Sequence, residues 1–430
     1  MMMKIESEQC LRRCVNVYLY RDRWPEAYRA VFATYGPLEA WDVSAVTDVS
    51  RLFAVETNRR LYLQAGGDPQ CSSLPLPLTT EDLGAWRLPH VCSLEGLFAG
   101  QSLYLGRGLE RWSENLTKVT SLRDTFANCR SLTGQTLAGW GSGLSSSSSS
   151  LLMDMRATFF RCTRLEDRHL LGWDRAMHLV ADLTGAFLGC VNIDGSAAAA
   201  WALHLRALRV TDDMFHGCTN LNDRTLAAFA PAMVRVESAR RMFAGCTSLV
   251  DADWAAWAPW LSRLRHADFL FEDCAMLSSR GMAGWDLRSL ETMDCMFRGC
   301  WLLCTHELRS WSFGAQLRSM RALFSECFTD DSDKVLAQWT LVPPEVLAGA
   351  YDHDSVAQAR TDALQPLVLS PAPAVLGPEL AKARARVRSK TRFAKIRAAA
   401  AAAAHDVQPY SSRRRHVAAA AVWCPEQPFF

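Results

Sequence analysis

The sequence predicts an α/β solenoid, a stack of about ten strand–turn–helix units, each of roughly 26 to 28 residues, whose strands form a parallel sheet on one face. Three observations predict it. Phenylalanine recurs at Phe53, Phe98, Phe126, Phe159, Phe187, Phe215, Phe243, Phe271, Phe297 and Phe324, with a period of about 28 residues over most of the array. From Phe126 onward each is followed three positions later by cysteine, at Cys129, Cys162, Cys190, Cys218, Cys246, Cys274, Cys300 and Cys327. An aromatic residue, usually tryptophan, precedes most of them by about half a period, at Trp41, Trp86, Trp112, Trp173, Trp201, Phe229, Trp257, Trp285 and Trp311. A unit of this length cannot bury such side chains alone, whereas stacked neighbours bury them as a continuous core.

Each unit opens on a short segment that reads as extended, for example Val210 to Phe215, Leu290 to Phe297 and Leu317 to Phe324, and a turn follows at Phe215-His-Gly-Cys and Phe243-Ala-Gly-Cys. The return half has helical spacing. Leu170, Trp173, Met177 and Val180 fall on one face, and Ala198, Trp201, Leu205 and Leu208 repeat that register one period later. Pro231 and Pro259 fall inside this stretch and are expected to divide it. The interval from Phe126 to Phe159 exceeds the period by a short insertion, which is assigned to the serine run Ser145 to Ser150.

Residues 1–34, with Val15, Tyr18, Leu19, Trp24, Tyr28, Val31 and Phe32 in an amphipathic pattern, are expected to cap one end, and 35–327 form the repeats. Residues 328–365, with Trp339, are expected to cap the other end. Pro366, Pro371, Pro373 and Pro378 mark a linker that opens a low-complexity tail over 366–430.

Composition sets the class. Hydrophobic residues make up 49% and charged ones 21% of 430, which excludes wholesale disorder. The seven alanines Ala398 to Ala404 fall far short of the roughly 18 to 20 apolar residues of a membrane span. The first residues, MMMKIESEQC, carry no apolar run behind their charges, so a cytoplasmic or nuclear location is expected, and a cell-surface one if residues precede them. In a reducing compartment the repeat cysteines are expected as free, buried small hydrophobes, although disulfides between rungs about 4.8 Å apart are sterically open.

The net charge of +2 conceals a split. From Ala381 onward eleven Lys and Arg stand against Asp406 and Glu426, a charge of +9 that leaves −7 on the remainder. The basic residues are Lys382, Arg384, Arg386, Arg388, Lys390, Arg392, Lys395, Arg397, Arg413, Arg414 and Arg415. They read as a solvated tail, or as a nuclear-localisation or polyanion-binding segment that acts by counterion release.

Catalytic patterns are missing: there is no P-loop, dinucleotide fingerprint, H-E-x-x-H or G-x-S-x-G. Cys295, Cys300, Cys304 and His306 could supply four metal ligands, but their spacing fits no familiar zinc motif, and Cys300 belongs to the repeat. No cofactor, metal or catalytic residue is expected. The partner-binding surface is assigned to the outward-facing positions just before each repeat phenylalanine: Arg123, Asp124, Arg156, Asp212, Asp213, Arg240, Arg241, Asp268, Asp294 and Arg321. Mixed in sign, that strip suits a protein partner better than nucleic acid, or is simply a solvated face.

The first unit contains Trp41-Asp-Val-Ser-Ala-Val46-Thr-Asp-Val-Ser-Arg-Leu-Phe53, and a later one contains Gly284-Trp-Asp-Leu-Arg-Ser-Leu-Glu-Thr-Met-Asp-Cys-Met-Phe297. Both resemble the BspA-type repeat of Mycoplasma surface proteins, W-D-[TV]-S-x-V-T-D-M-S-x-M-F. Phe215-His-Gly-Cys-Thr-Asn-Leu-Asn-Asp-Arg-Thr-Leu226 is similar to the cysteine-containing leucine-rich repeat. The resemblance covers about residues 35 to 340. It implies a leucine-rich-repeat-like stack used as a cell-surface or protein-binding module without catalysis. The chain is therefore read as a monomeric, non-enzymatic interaction scaffold. The alternatives are an exported surface adhesin and a nuclear or polyanion-associated adaptor that works through its tail.

Overall fold

The computed structural model describes residues 4–67, 75–145, 150–221, 223–250, 254–327, 332–339 and 341–350. All of them fall in the first of the two units into which the chain divides, Met1–Leu364. Ser146 to Ser149, residues 351–365 of the expected cap, and the linker and basic tail lie outside the described residues.

No β-strand forms among the described residues. The expected parallel sheet, and with it the α/β solenoid and the strand that defines a leucine-rich repeat, are corrected by this finding. What remains of the sheet is a series of isolated parallel bridges between neighbouring units, from Ser93–Ser121 through Asp154–Asp182 and Val210–Ser238 to Thr292–Ser319, with Leu287–Phe313 a second one at the last junction. The reason lies in the backbone two residues before each repeat phenylalanine. That position has a positive φ in every unit, at Arg51, Gly96, Asp124, Ala157, Gly185, Asp213, Arg241, Phe269, Cys295 and Ala322. Extended strand needs φ near −120° throughout, so this left-handed residue ends it, and a second one stands two positions after most of the phenylalanines, as at Asn128, Arg161 and Gly189.

The segment is instead a run of tight turns. In the Phe126 unit, Thr125 N–H donates to Leu122 O, Ala127 to Asp124 and Cys129 to Phe126, at 2.9 to 3.1 Å. The alternate N–H groups point onward: Leu122 donates to Asp154 O, Asp124 to Arg156, Phe126 to Thr158 and Asn128 to Phe160, at 2.6 to 3.0 Å. The same pattern returns at Leu183, Gly185, Phe187 and Gly189, which donate to Val210, Asp212, Met214 and His216. Half of the backbone donors close turns and half bind the next unit, so buried amides are satisfied without a sheet.

On one side of this turn ladder the phenylalanines stack. Successive ring centroids from Phe53 to Phe324 lie 5.6 to 6.0 Å apart with planes within 11° of parallel. A second stack runs through Trp112, Trp140, Trp173 and Trp201, and another through Trp285, Trp311 and Trp339. Each buried ring contributes roughly 1.5 to 3 kcal/mol. The indoles also tie the units together: Trp112 Nε1 donates to Leu83 O, Trp140 to Leu109, Trp201 to Leu170 and Trp311 to Met282, at 2.8 to 3.0 Å.

Before the stack, α1 (Glu8–Leu19) is capped by the Ser7 hydroxyl, and α2 (Pro25–Tyr35) packs on it. Ile5 N–H bonds Asp42 O at 3.0 Å. Helix α3 (Val55–Gln64) begins directly after Phe53 and also packs on α1.

The return halves are short helices, among them α4 (Trp140–Leu144). Leu170, Trp173 and Met177 are buried as their spacing predicts, but on a 3-10 helix, Asp167–Leu179. Helix α5 (Ser196–Trp201) serves the next unit, and α6 (Asp223–Phe229) the one after. At Ala230 and Pro231 the chain passes from α6 into a 3-10 helix, Ala230–Arg235, because proline has no N–H to continue the α pattern.

After the stack, α7 (Ser332–Leu336) leads to Trp339, and α8 (Pro344–Gly349) ends at Gly349, whose carbonyl accepts from Ala322 N–H at 3.0 Å. No described helix is long and apolar enough to cross a membrane.

Candidate interaction surface

The charged strip assigned to partner binding is largely turned to another use. Asp212, Asp213, Arg241, Asp268 and Asp294 are buried, not outward-facing, while Arg123, Asp124, Arg156, Arg240 and Arg321 are partly covered. Stacking brings residues one repeat apart in sequence into direct contact, and there opposite charges pair. Arg241 grips both oxygens of Asp213 at 2.7 and 2.8 Å, and Arg321 holds Asp294 at 2.6 and 2.8 Å. Arg240 Nε reaches Asp268 at 3.0 Å. Hydroxyls complete the carboxylate shells: Ser238 donates to Asp212, Thr292 to Asp268 and Ser319 to Asp294, at 2.6 to 2.7 Å. A buried charge is tolerated only when so paired.

The electrostatics follow. Burial alone would raise the Asp213 carboxyl, but hydrogen bonds from Arg241 and His216 carry it below the ordinary value. Asp212 has weaker compensation, and burial pushes it up to about 6. Between Phe215 and Phe324 the strip therefore joins units to one another. In the earlier rungs Arg156 pairs with Asp154 at 2.5 Å and Arg123 with Asp124 at 3.5 Å.

The cysteine ladder has a defined job. Cys129 Sγ donates to Phe98 O, Cys162 to Phe126, Cys190 to Phe159, Cys246 to Phe215 and Cys300 to Phe271, at 2.8 to 3.2 Å. Cys274 and Cys327 bond Phe243 and Phe297 in the same way. Burial raises these thiols, Cys246 to about 12, so they are not nucleophiles at neutral pH. The candidate metal set does not converge: Cys295 packs with Phe269 and Ala322 in a separate small cluster, Cys300 stays in the main ladder, and Cys304 is exposed.

Two polar residues escaped the sequence reading. Gln101 stands three residues after Phe98, where later units have cysteine; its Nε2 donates to Phe53 O at 2.7 Å and its Oε1 accepts from Leu78 N–H. The position within the repeat was the signal. Asn58, on α3, is buried and donates to Leu52 O and Ala54 O at 2.9 and 3.0 Å. No motif marks it.

The side of the turn ladder away from the phenylalanine stack is built by the residues two before and one after each Phe. Over the Phe271 to Phe324 rungs these residues close it: Phe269, Cys295 and Ala322 are fully buried beside Arg298, which bridges Glu272 and Glu326 at 2.6 and 2.5 Å. Over the Phe98 to Phe187 rungs the corresponding residues are Gly96, Ala99, Asp124, Ala127, Ala157, Phe160, Gly185 and Leu188, and there Phe160 and Leu188 stay partly exposed.

The family model described as "Mycoplasma protein of unknown function, DUF285" matches residues 75–153, 153–280 and 212–339, more than half of the chain. The chain belongs to this family. Membership of the DUF285 family establishes a repeat protein; the finer likeness to leucine-rich repeats is not carried by it. No curated protein matches the sequence. Among solved structures, the crystal structure of the yeast Rad7 and Elc1 complex is similar over 76% of this chain and 87% of that one, at 12% identity and a TM-score of 0.25. So distant a likeness carries no argument about this DUF285-family chain.

Proposed function

We propose that this DUF285-family chain is a monomeric, non-enzymatic scaffold that binds another protein through its turn face, inside the cell in the cytoplasm or nucleus. One observation carries the reading: the groups that a reaction would draw on are spent in holding units together. The ladder thiols are buried against carbonyls, and Asp213 and Asp294 are locked to Arg241 and Arg321. What the repeats leave for recognition is an extended surface, and the earlier rungs keep apolar side chains on it.

The test is affinity capture of the tagged full chain from cells, with cross-links mapped by mass spectrometry. A stoichiometric protein partner cross-linked to the rungs from Gly96 to Leu188 is the expected result. Recovery of no stoichiometric partner overturns it. The eleven basic residues after Ala381 favour a second reading, polyanion binding by the tail. Retention on heparin that falls steeply with salt supports that reading, and elution at low salt removes it.

A further inference from the structure

The later rungs neutralise their arginines: Arg240, Arg241, Arg298 and Arg321 each hold an acidic partner. A group in the earlier rungs differs. The ion pairs of these rungs among the described residues include Arg123–Asp124, Arg156–Asp154, Arg156–Asp182 and Arg168–Glu166, and none of these reaches Arg130, Arg161 or Arg164. Arg161 lies over the partly exposed Phe160 ring, its guanidinium carbon 5.1 Å from the centroid. Its stem crosses Gly189, where an added Cβ would meet Arg161 Cγ at 3.0 Å, so the side chain is held against the next rung. Arg130 belongs to the preceding rung, and its carbonyl accepts from Thr163 at 3.5 Å. Burial and the neighbouring Arg130 charge together lower the Arg161 pKa, the mark of two cations close together without an acid between them.

Apolar surface adjoins this charge. Arg161 N–H bonds Leu188 O at 2.7 Å, which sets partly exposed Leu188 beside Phe160 in register, and Val191 follows at 39% exposure.

We propose that this patch, Arg130 and Arg161 around Phe160, Leu188 and Val191, docks an acidic peptide segment of a partner protein that carries apolar side chains among its carboxylates. This deepens the scaffold reading and rests on it. Carboxylates would take charge-assisted hydrogen bonds from the guanidinium groups, and Phe160 and Leu188 would cover an apolar side chain. Nucleic acid fits less well, because Asp154 and Asp182 flank Arg156 on the same rungs and interrupt any positive track for a phosphate backbone.

The probe is a 12-residue peptide of glutamate and leucine with a central benzoylphenylalanine, compared with its lysine-for-glutamate counterpart on the full chain. Cross-links from the acidic peptide are expected within residues 127–192, with none from the basic one. Arg130→Gln with Arg161→Gln together are expected to weaken binding about tenfold, the effect of losing one or two charge-assisted bonds. Arg130→Gln alone, at an exposed side chain, is the variant that leaves packing untouched, and about threefold weakening is expected. Cross-links confined to the basic tail at 382–415, or affinity unchanged in both variants, overturn the proposal. If the double variant still captures the cellular partner, the docking patch is wrong and the scaffold reading stands. If neither peptide nor any cellular partner binds, both fall.

Discussion

Cys218 Sγ donates a hydrogen bond to the carbonyl oxygen of Phe187, 3.1 Å away and 31 residues earlier in the chain. The thiol sits three residues after its own phenylalanine and reaches the phenylalanine of the unit before. It fills a space suited to a small apolar side chain and gives the Phe187 carbonyl a second donor beside the Cys190 N–H, which bonds it at 3.0 Å.

Cys218→Ala removes that donor and leaves the carbonyl only its turn bond from Cys190 N–H, at an expected cost of about 0.5 to 1.5 kcal/mol. Cys218→Ser keeps a donor and should lose less. Urea unfolding midpoints compare the two; an alanine variant as stable as the serine variant would remove the hydrogen bond from the account.

The indoles allow a sharper comparison. Trp201 Nε1 donates to Leu170 O at 3.0 Å, whereas the Trp257 N–H is buried with no partner among the described residues. Trp201→Phe is expected to cost about 1 to 3 kcal/mol, and Trp257→Phe under about 1, because it discards an unsatisfied donor. Equal losses in thermal melts would contradict this.

Gly185 occupies the left-handed position with φ +61°, and an added Cβ there would meet only Leu188, at 3.9 Å. Gly185→Val is therefore strained by backbone conformation and not by collision, and about 1 to 2 kcal/mol of destabilisation is expected. A neutral valine variant would show that the turn tolerates another conformation.

Asp212 gives a pH dependence. Its folded pKa is raised to about 6 against an unfolded value of roughly 3.9. A carboxyl raised on folding contributes stability at low pH and loses it as pH climbs through the folded value. Relative to Asp212→Asn, the wild type should thus lose on the order of 2 to 3 kcal/mol between about pH 4 and pH 6. Melting both proteins across that window checks it, and a constant difference would refute the assignment.

Phe215→Ala, in the middle of the ring stack, is expected to cost about 3 to 5 kcal/mol. Arg209→Ala breaks only the exposed pair with Glu237, and under about 0.5 kcal/mol is expected. Similar melting shifts for the two would argue against the stack.

The candidate surface was half legible. The mixed-sign positions from Arg123 to Arg321 were visible as a strip, yet Arg241 and Asp213 are 28 residues apart and touch only once the units stack. A charge whose partner lies a full repeat away reads as solvated in one dimension. Phe160 and Arg161 drew no notice, since Phe159 beside them carries the period.

The sequence by itself determined the period, the register of Phe, Cys and Trp, and which side chains are buried, because burial of a repeating apolar set is a property of composition and spacing. It also marked Pro231 as the break in a helix, but Pro259, expected to divide its segment in the same way, lies inside the 3-10 helix Trp254–Trp260. Only the tertiary structure decided the backbone between those side chains. Alternation of apolar and polar residues before each Phe fits a strand and a run of stacked turns equally, since both send neighbouring side chains to opposite sides. The residue that separates the two is the left-handed one, and at Arg51, Ala157, Arg241, Phe269 and Cys295 it is a residue type with little preference for that conformation. Hydrogen bonds to the adjoining units hold it there, and those exist only in the folded stack.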